Sequence, residues 1–313
     1  MNAFTHLVAD KIEDYITLCR SLGYVFQTQS ATLRAFCRFI ESDDQSGPLT
    51  EDLALQFILS CDVTPTVRAR RYSVLGRFAE YLSVFDAHTQ HFSPRAFPPS
   101  RAITPVQILS EGELKRLLSS AQQISPRFPM RGHTLYTVLG LLASTGLRSG
   151  EARRLDRSNV DLERGLLQIR QTKFHKDRLV PVHETTRQAL VDYAGKRDVA
   201  FPQPRAPAFF LNLRGGRLSS SGLYRAFHEV RTAAGFDARA TRPLRPHDLR
   251  HRFAVTRLVI WHQEGIDVQS RLPLLATYLG HVRYSDTAYY VTATADLLGI
   301  AAQRAFASKE GVS

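Results

Sequence analysis

Cysteine is scarce in this chain. Cys19, Cys37 and Cys61 make up its three, an odd number with no CxxC pair. A disulfide framework needs an even set and a zinc site needs closely spaced ligands, so neither is expected. Long apolar runs are also missing. The most apolar stretch, LYTVLGLLASTGL (Leu135–Leu147), covers 13 residues, short of the roughly 18–20 that a membrane span requires. It reads as a buried helix. The opening MNAFTHLVADKIEDY places acidic residues where a secretory leader needs a basic stretch and then unbroken apolar sequence, so a cytoplasmic protein is expected. No internal repeat or low-complexity tract is visible, which excludes solenoids and arrays.

What the chain does have is positive charge. Lysine and arginine number 41 against 29 aspartate and glutamate, a net +12, which suits a long polyanion better than a small acidic metabolite. Nucleic acid is the expected partner. A length of 313 residues points to two domains, each able to bury its own core.

Apolar residues recur at helical spacing in two runs separated by Gly23: Ile12, Tyr15, Ile16 and Cys19, then Leu33, Phe36, Cys37 and Ile40. A third helix follows Thr50 as its cap. A fourth, over Val67–Phe85, carries Arg68, Arg70, Arg71 and Arg77 as a basic face. Residues 1–100 thus form a helical unit. FSPRAFPPSRAITP (Phe92–Pro105) holds four prolines, cannot continue a helix, and reads as a linker. A second domain, residues 101–313, then opens with the capping box Ser110-Glu-Gly-Glu113. Within it the apolar helix ends at Ser-Thr-Gly, a new helix begins near Ser149, and Gly165–Val182 alternates as two strands joined by a turn. Further helices are expected over Ser219–Ala234, Pro246–Trp261, Pro273–Leu279 and Ala293–Ala307. The fold class is therefore mainly α with a small antiparallel β-sheet.

Four stretches concentrate Arg, Lys, His and Tyr: TGLRSGEARRL (Thr145–Leu155), TKFHKDR (Thr172–Arg178), RPHDLRHRFA (Arg245–Ala254) and YLGHVRYSDTAYY (Tyr278–Tyr290). Cutting a phosphodiester calls for a nucleophile, donors for the charge that builds on the non-bridging oxygens, and an acid for the departing sugar oxygen. Guanidiniums, an ammonium, imidazoles and a phenol supply all of these. Each residue also has a plainer reading. His247 and Arg250, at i and i+3, share a helix face as a capping histidine and a surface arginine would. A cation such as Arg148 at a helix N-terminus is electrostatically misplaced unless an anion lies near. Tyr289 and Tyr290 point about 100° apart on a helix, so one of them alone can reach a fixed phosphate.

In this order the four stretches resemble the tyrosine recombinase and phage integrase family. Arg148 and Glu151 fill its TGLRxxE box, His247 and Arg250 its HxxR box, and Leu279-Gly-His281 precedes Tyr290 by nine residues. Lys173 matches the lysine of its hairpin turn, where Lys176 is the competing residue, although Phe174 and His175 stand where a glycine often follows. The resemblance implies a helical core-binding domain in front of a mixed α/β catalytic domain. It implies Tyr290 as the nucleophile of a 3′-phosphotyrosyl bond, Arg148 and Arg250 as phosphate clamps, and Lys173 as general acid. His247 would accept or relay the tyrosine proton, His281 would donate to the phosphate, and Glu151 would buttress Arg148. Neither ATP nor a metal would be needed.

Double-stranded DNA is then the partner, held by a homotetramer on two sites, with an accessory DNA-bending or directionality factor as a further expected component. Arg68, Arg70, Arg71, Arg77, Arg214, Arg217, Arg242 and Arg245 could follow backbone phosphates. The apolar stripe Leu297, Leu298, Ile300, Ala301 and Phe306 would dock on the next protomer or back on its own domain. Two other classes compete. A type IB topoisomerase shares the constellation but relaxes supercoils, and a non-cutting DNA-binding protein would bind without a covalent adduct.

Overall fold

The computed structural model describes residues 3–42, 47–94, 96–97, 107–170, 177–236 and 243–281, with Thr287 and Tyr290. The chain divides into two compact units, Met1–Thr104 and Pro105–Ser313, a division a few residues beyond the expected one.

Among the described residues, the first unit holds four helices. Val8, Ile12, Ile16 and Cys19 line one side of α1 (Ala3–Ser21), and Leu33, Phe36, Cys37 and Ile40 one side of α2 (Gln27–Ser42). Gly23, at φ +86°, turns the chain between them. Thr50 caps α3 (Glu51–Leu59) by accepting the Leu53 N–H at 3.2 Å, a bond whose loss typically costs about 1 kcal/mol. Pro65 opens α4 (Pro65–Leu82) in the first turn, where its missing N–H costs nothing. Phe36, Phe57 and Phe78 fill the space the four helices enclose.

The second unit is built around one apolar helix. The Ser110–Glu113 capping box starts α5 (Glu111–Gln123) as anticipated. α6 (Pro129–Thr145) buries Leu135, Val138, Leu139 and Leu142, each such side chain contributing about 1.5–3 kcal/mol. α5 crosses α6 so closely that a Cβ on Gly132 would lie 2.2 Å from the Gln122 carbonyl oxygen. α7 (Ser149–Arg154) follows at once. The sheet has the order β1 (Val160–Asp161), β2 (Leu166–Ile169), β3 (Arg178–Pro181), all antiparallel, with Leu167 opposite Val180. The short β1 was not anticipated, and the hairpin tip between β2 and β3 lies outside the described residues.

α8 (Glu184–Ala200) was not anticipated either. It buries Leu190, Tyr193, Ala194 and Arg197, an apolar face too thin to stand out as a periodic pattern. α9 (Ser220–Ala233), α10 (Pro246–Gln263) and α11 (Val268–Leu279) complete the described elements. α11 begins five residues before the expected start at Pro273, because Asp267 caps it by accepting the Gln269 N–H at 3.0 Å. Proline is then carried inside the helix. Residues 293–307, expected to form a last helix, lie outside the described residues. Among the described residues no helix is long and apolar enough to cross a membrane.

Candidate active site

Two left-handed glycines shape the ground of the site. Gly146 (φ 64°) ends α6 and Gly280 (φ 69°) ends α11. Helix C-termini leave carbonyls unpaired and carry partial negative charge, and here those carbonyls receive arginines. Three consecutive carbonyls at the end of α11 each take a different guanidinium: Tyr278 from Arg178 at 3.0 Å, Leu279 from Arg250 at 2.9 Å, and Gly280 from Arg148 at 3.0 Å. Arg250 reaches the other helix end as well, donating to the Gly146 carbonyl at 2.7 Å. The surface reading of HDLR fails for Arg250, which is 1% exposed.

Glu151 completes the frame. It is 3% exposed and accepts four hydrogen bonds: from the Arg148 backbone N–H and Nη1 at 2.9 and 3.0 Å, and from Arg178 Nη1 and Nη2 at 3.1 and 2.9 Å. Burial would raise its carboxyl pKa, but Arg178 and then Arg148 hold it below the ordinary value. Arg148 therefore does have an anion beside it at the start of α7. Among the described residues, Glu151 is the one carboxylate hydrogen-bonded to any of these three guanidiniums. Three cations against one carboxylate leave an excess of positive charge in a largely buried place, and Arg250 feels it. Burial, then repulsion from Arg148, pushes its pKa down to about 10.

An uncompensated cluster of this kind is costly unless an anion arrives. Arg148, with its side chain 35% exposed, is the open edge of the cluster. Two of the five N–H donors that a guanidinium carries are occupied on Arg250 by carbonyls, which leaves three for an incoming oxygen anion.

The imidazoles stand around this cluster. His281 follows Gly280 directly and its Nδ1 lies 2.6 Å from the Thr287 hydroxyl. Burial, then Arg250 and Arg148, pushes it down to about 3. His247, near the start of α10, keeps an exposed surface, yet loss of water around its ring, followed by repulsion from His251 and Arg250, pushes it down to about 4. Both are neutral at neutral pH. Tyr290 is 2% exposed and packs with Leu258, Leu272 and Leu279. Its hydroxyl lies 2.9 Å from His251 Nδ1. Its ring stacks at 6.2 Å on that of His281.

The structure thus brings together Arg148, Glu151, His247, Arg250, His281 and Tyr290. Lys173 and its competitor Lys176 lie outside the described residues, as do Arg242 and Tyr289. Sequence reasoning passed over two members of the cluster. Arg178 and His251 both sit inside the quoted stretches, and His251 is one helical turn beyond His247, the spacing that puts two side chains on one face.

The other arginines are placed differently from one another. Arg217, expected to follow backbone phosphates, is bound to the Asp156 carboxylate and donates to the Arg153 and Leu155 carbonyls, so its charge is already paired within the fold. Arg70, Arg77, Arg214 and Arg245 are exposed. Arg68 and Arg71 turn partly inward, so the four arginines of α4 do not form one exposed face. Arg68 Nε and Arg71 Nη1 are buried without a hydrogen-bond partner among the described residues, and Arg71 lies over the Phe57 ring.

The phage integrase family matches residues 107–296, a span holding every side chain of the cluster. The chain belongs to the phage integrase family. As a tyrosine recombinase it is of a class that cleaves and rejoins DNA strands at specific sites. The recombinase is 56% identical over 306 residues to a protein of Sinorhizobium fredii (strain NBRC 101917 / NGR234) named "Putative integrase/recombinase y4rE", with 98% of each chain covered. In fold it is similar to the Tn1549 transposon integrase in complex with transposon right end DNA, at TM-score 0.66 and 18% identity over 92% of this chain and 94% of that one. It is also similar to a lambda integrase tetramer bound to a Holliday junction, at TM-score 0.60 and 15% identity over 90% and 76%.

Proposed function

We propose that this recombinase cuts one strand of double-stranded DNA by attack of Tyr290 on the scissile phosphate, forming a 3′-phosphotyrosyl bond and releasing a 5′-hydroxyl. Arg148 and Arg250 clamp the phosphate, because a planar fork of donors fits its non-bridging oxygens. His281 donates to the same oxygens. Lys173 protonates the leaving oxygen, and His247 serves the tyrosine proton. Arg178 and Glu151 position the clamp. The ester energy is kept in the covalent intermediate, so rejoining draws on neither ATP nor metal.

The observation that carries this reading is the excess of guanidinium charge with a buried tyrosine hydroxyl at its edge. Residues 1–100 serve as the DNA-binding unit, through arginines such as Arg70 and Arg77. Four copies act on two DNA sites, an assembly for which the lambda integrase tetramer on a Holliday junction is the support.

The test uses nicked suicide duplexes built from DNA flanking the encoding gene, with denaturing gels for a protein–DNA adduct. The adduct is expected from the native chain and from Tyr289→Phe, and is expected to vanish in Tyr290→Phe. Loss in Tyr289→Phe instead moves the nucleophile by one residue. Specific binding without any adduct overturns the cutting reading, and relaxation of supercoils without joining of two duplexes favours a topoisomerase.

A further inference from the structure

His251 has no part in the roles assigned so far, yet it is the imidazole hydrogen-bonded to the tyrosine. Its Nδ1 lies 2.9 Å from Tyr290 Oη, and the rings meet at a centroid distance of 5.4 Å. On its other side the His247 ring stands edge-on at 4.6 Å. The three rings form a row running from the buried phenol along α10 to the exposed His247. Arg250, between the two histidines in sequence, is near enough to Tyr290 for the phenol to act on its charge. A group that removes a proton from a nucleophile must be within about 2.6–3.2 Å of it, a requirement His251 meets in the free protein.

We infer that His251 is a catalytic residue, the immediate acceptor of the Tyr290 proton, with His247 passing that proton onward. This rests on Tyr290 being the nucleophile. In cleavage the Oη–H bond breaks and its proton goes to His251 Nδ1, while an oxygen electron pair forms the Oη–P bond. The P–O5′ bond breaks, its pair stays on O5′, and the leaving-group acid supplies the proton that O5′ needs. For Nδ1 to accept, the His251 ring carries its own proton on Nε2. Cleavage first leaves an imidazolium, which hands its proton on through His247; rejoining runs in reverse, His251 regaining a proton by the same route and returning it to Oη. No oxidant, metal or further reactant is required. Neutral His247 alongside gives the proton a route to water between the two steps, and it explains why a second imidazole stands where a lone base would suffice.

The experiment measures single-turnover adduct formation by the full chain on the nicked suicide duplex. It compares His251→Ala, His251→Asn and Tyr290→Phe. The same duplexes are prepared with sulfur replacing the 5′ bridging oxygen, a leaving group that departs without an acid. Loss of proton transfer to a positioned base slows reactions by about 10²–10⁴-fold, so His251→Ala is expected to lose at least about 100-fold with DNA binding intact. The bridging sulfur should not restore it, whereas added imidazole should restore part. His251→Asn, which places an amide near the Nδ1 position and keeps the fold, should hold the tyrosine but remain as slow as His251→Ala.

Rates within about threefold of the native chain for either variant overturn the inference. Full rescue by the bridging sulfur also overturns it, by moving His251 to the leaving group. Recovery in His251→Asn alone reduces it to a positioning residue and likewise overturns proton transfer. An adduct that survives Tyr290→Phe removes the reading beneath the inference, a failure visible in a separate lane from any result on His251.

Discussion

Replacing Glu151 by glutamine tests whether the cation cluster is held by one buried carboxylate. Glutamine has nearly the same shape, so packing around α7 is kept. What changes is charge and acceptor count. The four donors on Glu151, two from Arg148 and two from Arg178, come at 2.9–3.1 Å. An amide keeps one oxygen and turns an NH₂ group toward donors. Breaking a buried ion pair by removing one partner costs about 3–5 kcal/mol, because the other charge is left uncompensated. Here two arginines lose the partner at once. The chain has a single tryptophan, Trp261, and it lies in α10, so its fluorescence in a urea titration follows the second unit. With a urea slope of about 2 kcal/mol per M, the midpoint should fall by roughly 1.5–2.5 M. A cycle with Arg178→Met isolates the pair, and the double variant should be at least about 2 kcal/mol less damaged than the sum of the single ones. A loss below about 1 kcal/mol, or additivity within about 0.5 kcal/mol, would refute the argument that Glu151 is what holds the arginines.

Two further outcomes follow from the same geometry. His281 and His247 have folded-state values pushed down to about 3 and about 4, so below the ordinary 6.5 the unfolded chain binds protons that the fold refuses and stability falls as pH drops. Between pH 6.5 and 4.5 His281 contributes about 2 kcal/mol of that loss. Thermal unfolding of the free chain should therefore decline less steeply with acid in His281→Asn, and equal slopes would contradict the shift. Gly280→Ala forces a side chain at φ 69° and a Cβ 2.7 Å from Arg178 Nη1. The backbone term of about 1–2 kcal/mol plus overpacking of about 1–3 kcal/mol predicts a stability loss of about 2–5 kcal/mol, together with slower adduct formation. A neutral result in both assays would mean that Arg178 does not need its present place.

The residues legible in the sequence were those whose chemistry and spacing both marked them. Arg148, His247, Arg250, His281 and Tyr290 sit in short runs dense in phosphate-handling side chains, and the structure gathers all five. Arg178 and His251 lay in the same runs but passed unnoticed, because what distinguishes them is a partner far along the chain: the Tyr278 carbonyl for one, the Tyr290 hydroxyl for the other. The pairing of Arg217 was hidden for the same reason. Beside a Gly-Gly turn it reads as an open cation, and the Asp156 that neutralises it is 61 residues away. Helices with a full apolar stripe and a cap, such as α3 and α5, were readable locally. α8 was not, since much of its buried face is a tyrosine and an arginine held by tertiary contacts, with Arg197 donating to the Phe209 and Ala208 carbonyls.

The three carbonyls at the end of α11 also explain why the glycine and histidine after Leu279 belong with arginines 29 to 132 residues earlier. A helix that continued past Leu279 would consume its last carbonyls in further turns. Gly280, by turning left-handed, stops the helix and leaves the Tyr278, Leu279 and Gly280 oxygens directed at Arg178, Arg250 and Arg148. Those oxygens carry partial negative charge, enough to orient guanidiniums but not to neutralise them. A full carboxylate in place of each would satisfy the arginines and leave nothing for a phosphate to do. Carbonyls fix the geometry while keeping the charge excess, and the single carboxylate is spent on Arg148 and Arg178, leaving Arg250 with no hydrogen-bonded carboxylate among the described residues. His281 is then the next residue after the turn, placed by the same glycine, and its neutral ring adds no charge before DNA arrives. On the proposed reading, the clamp is therefore preorganised for an anion and destabilised without one, which is the condition under which charge developing on a phosphate receives the most help.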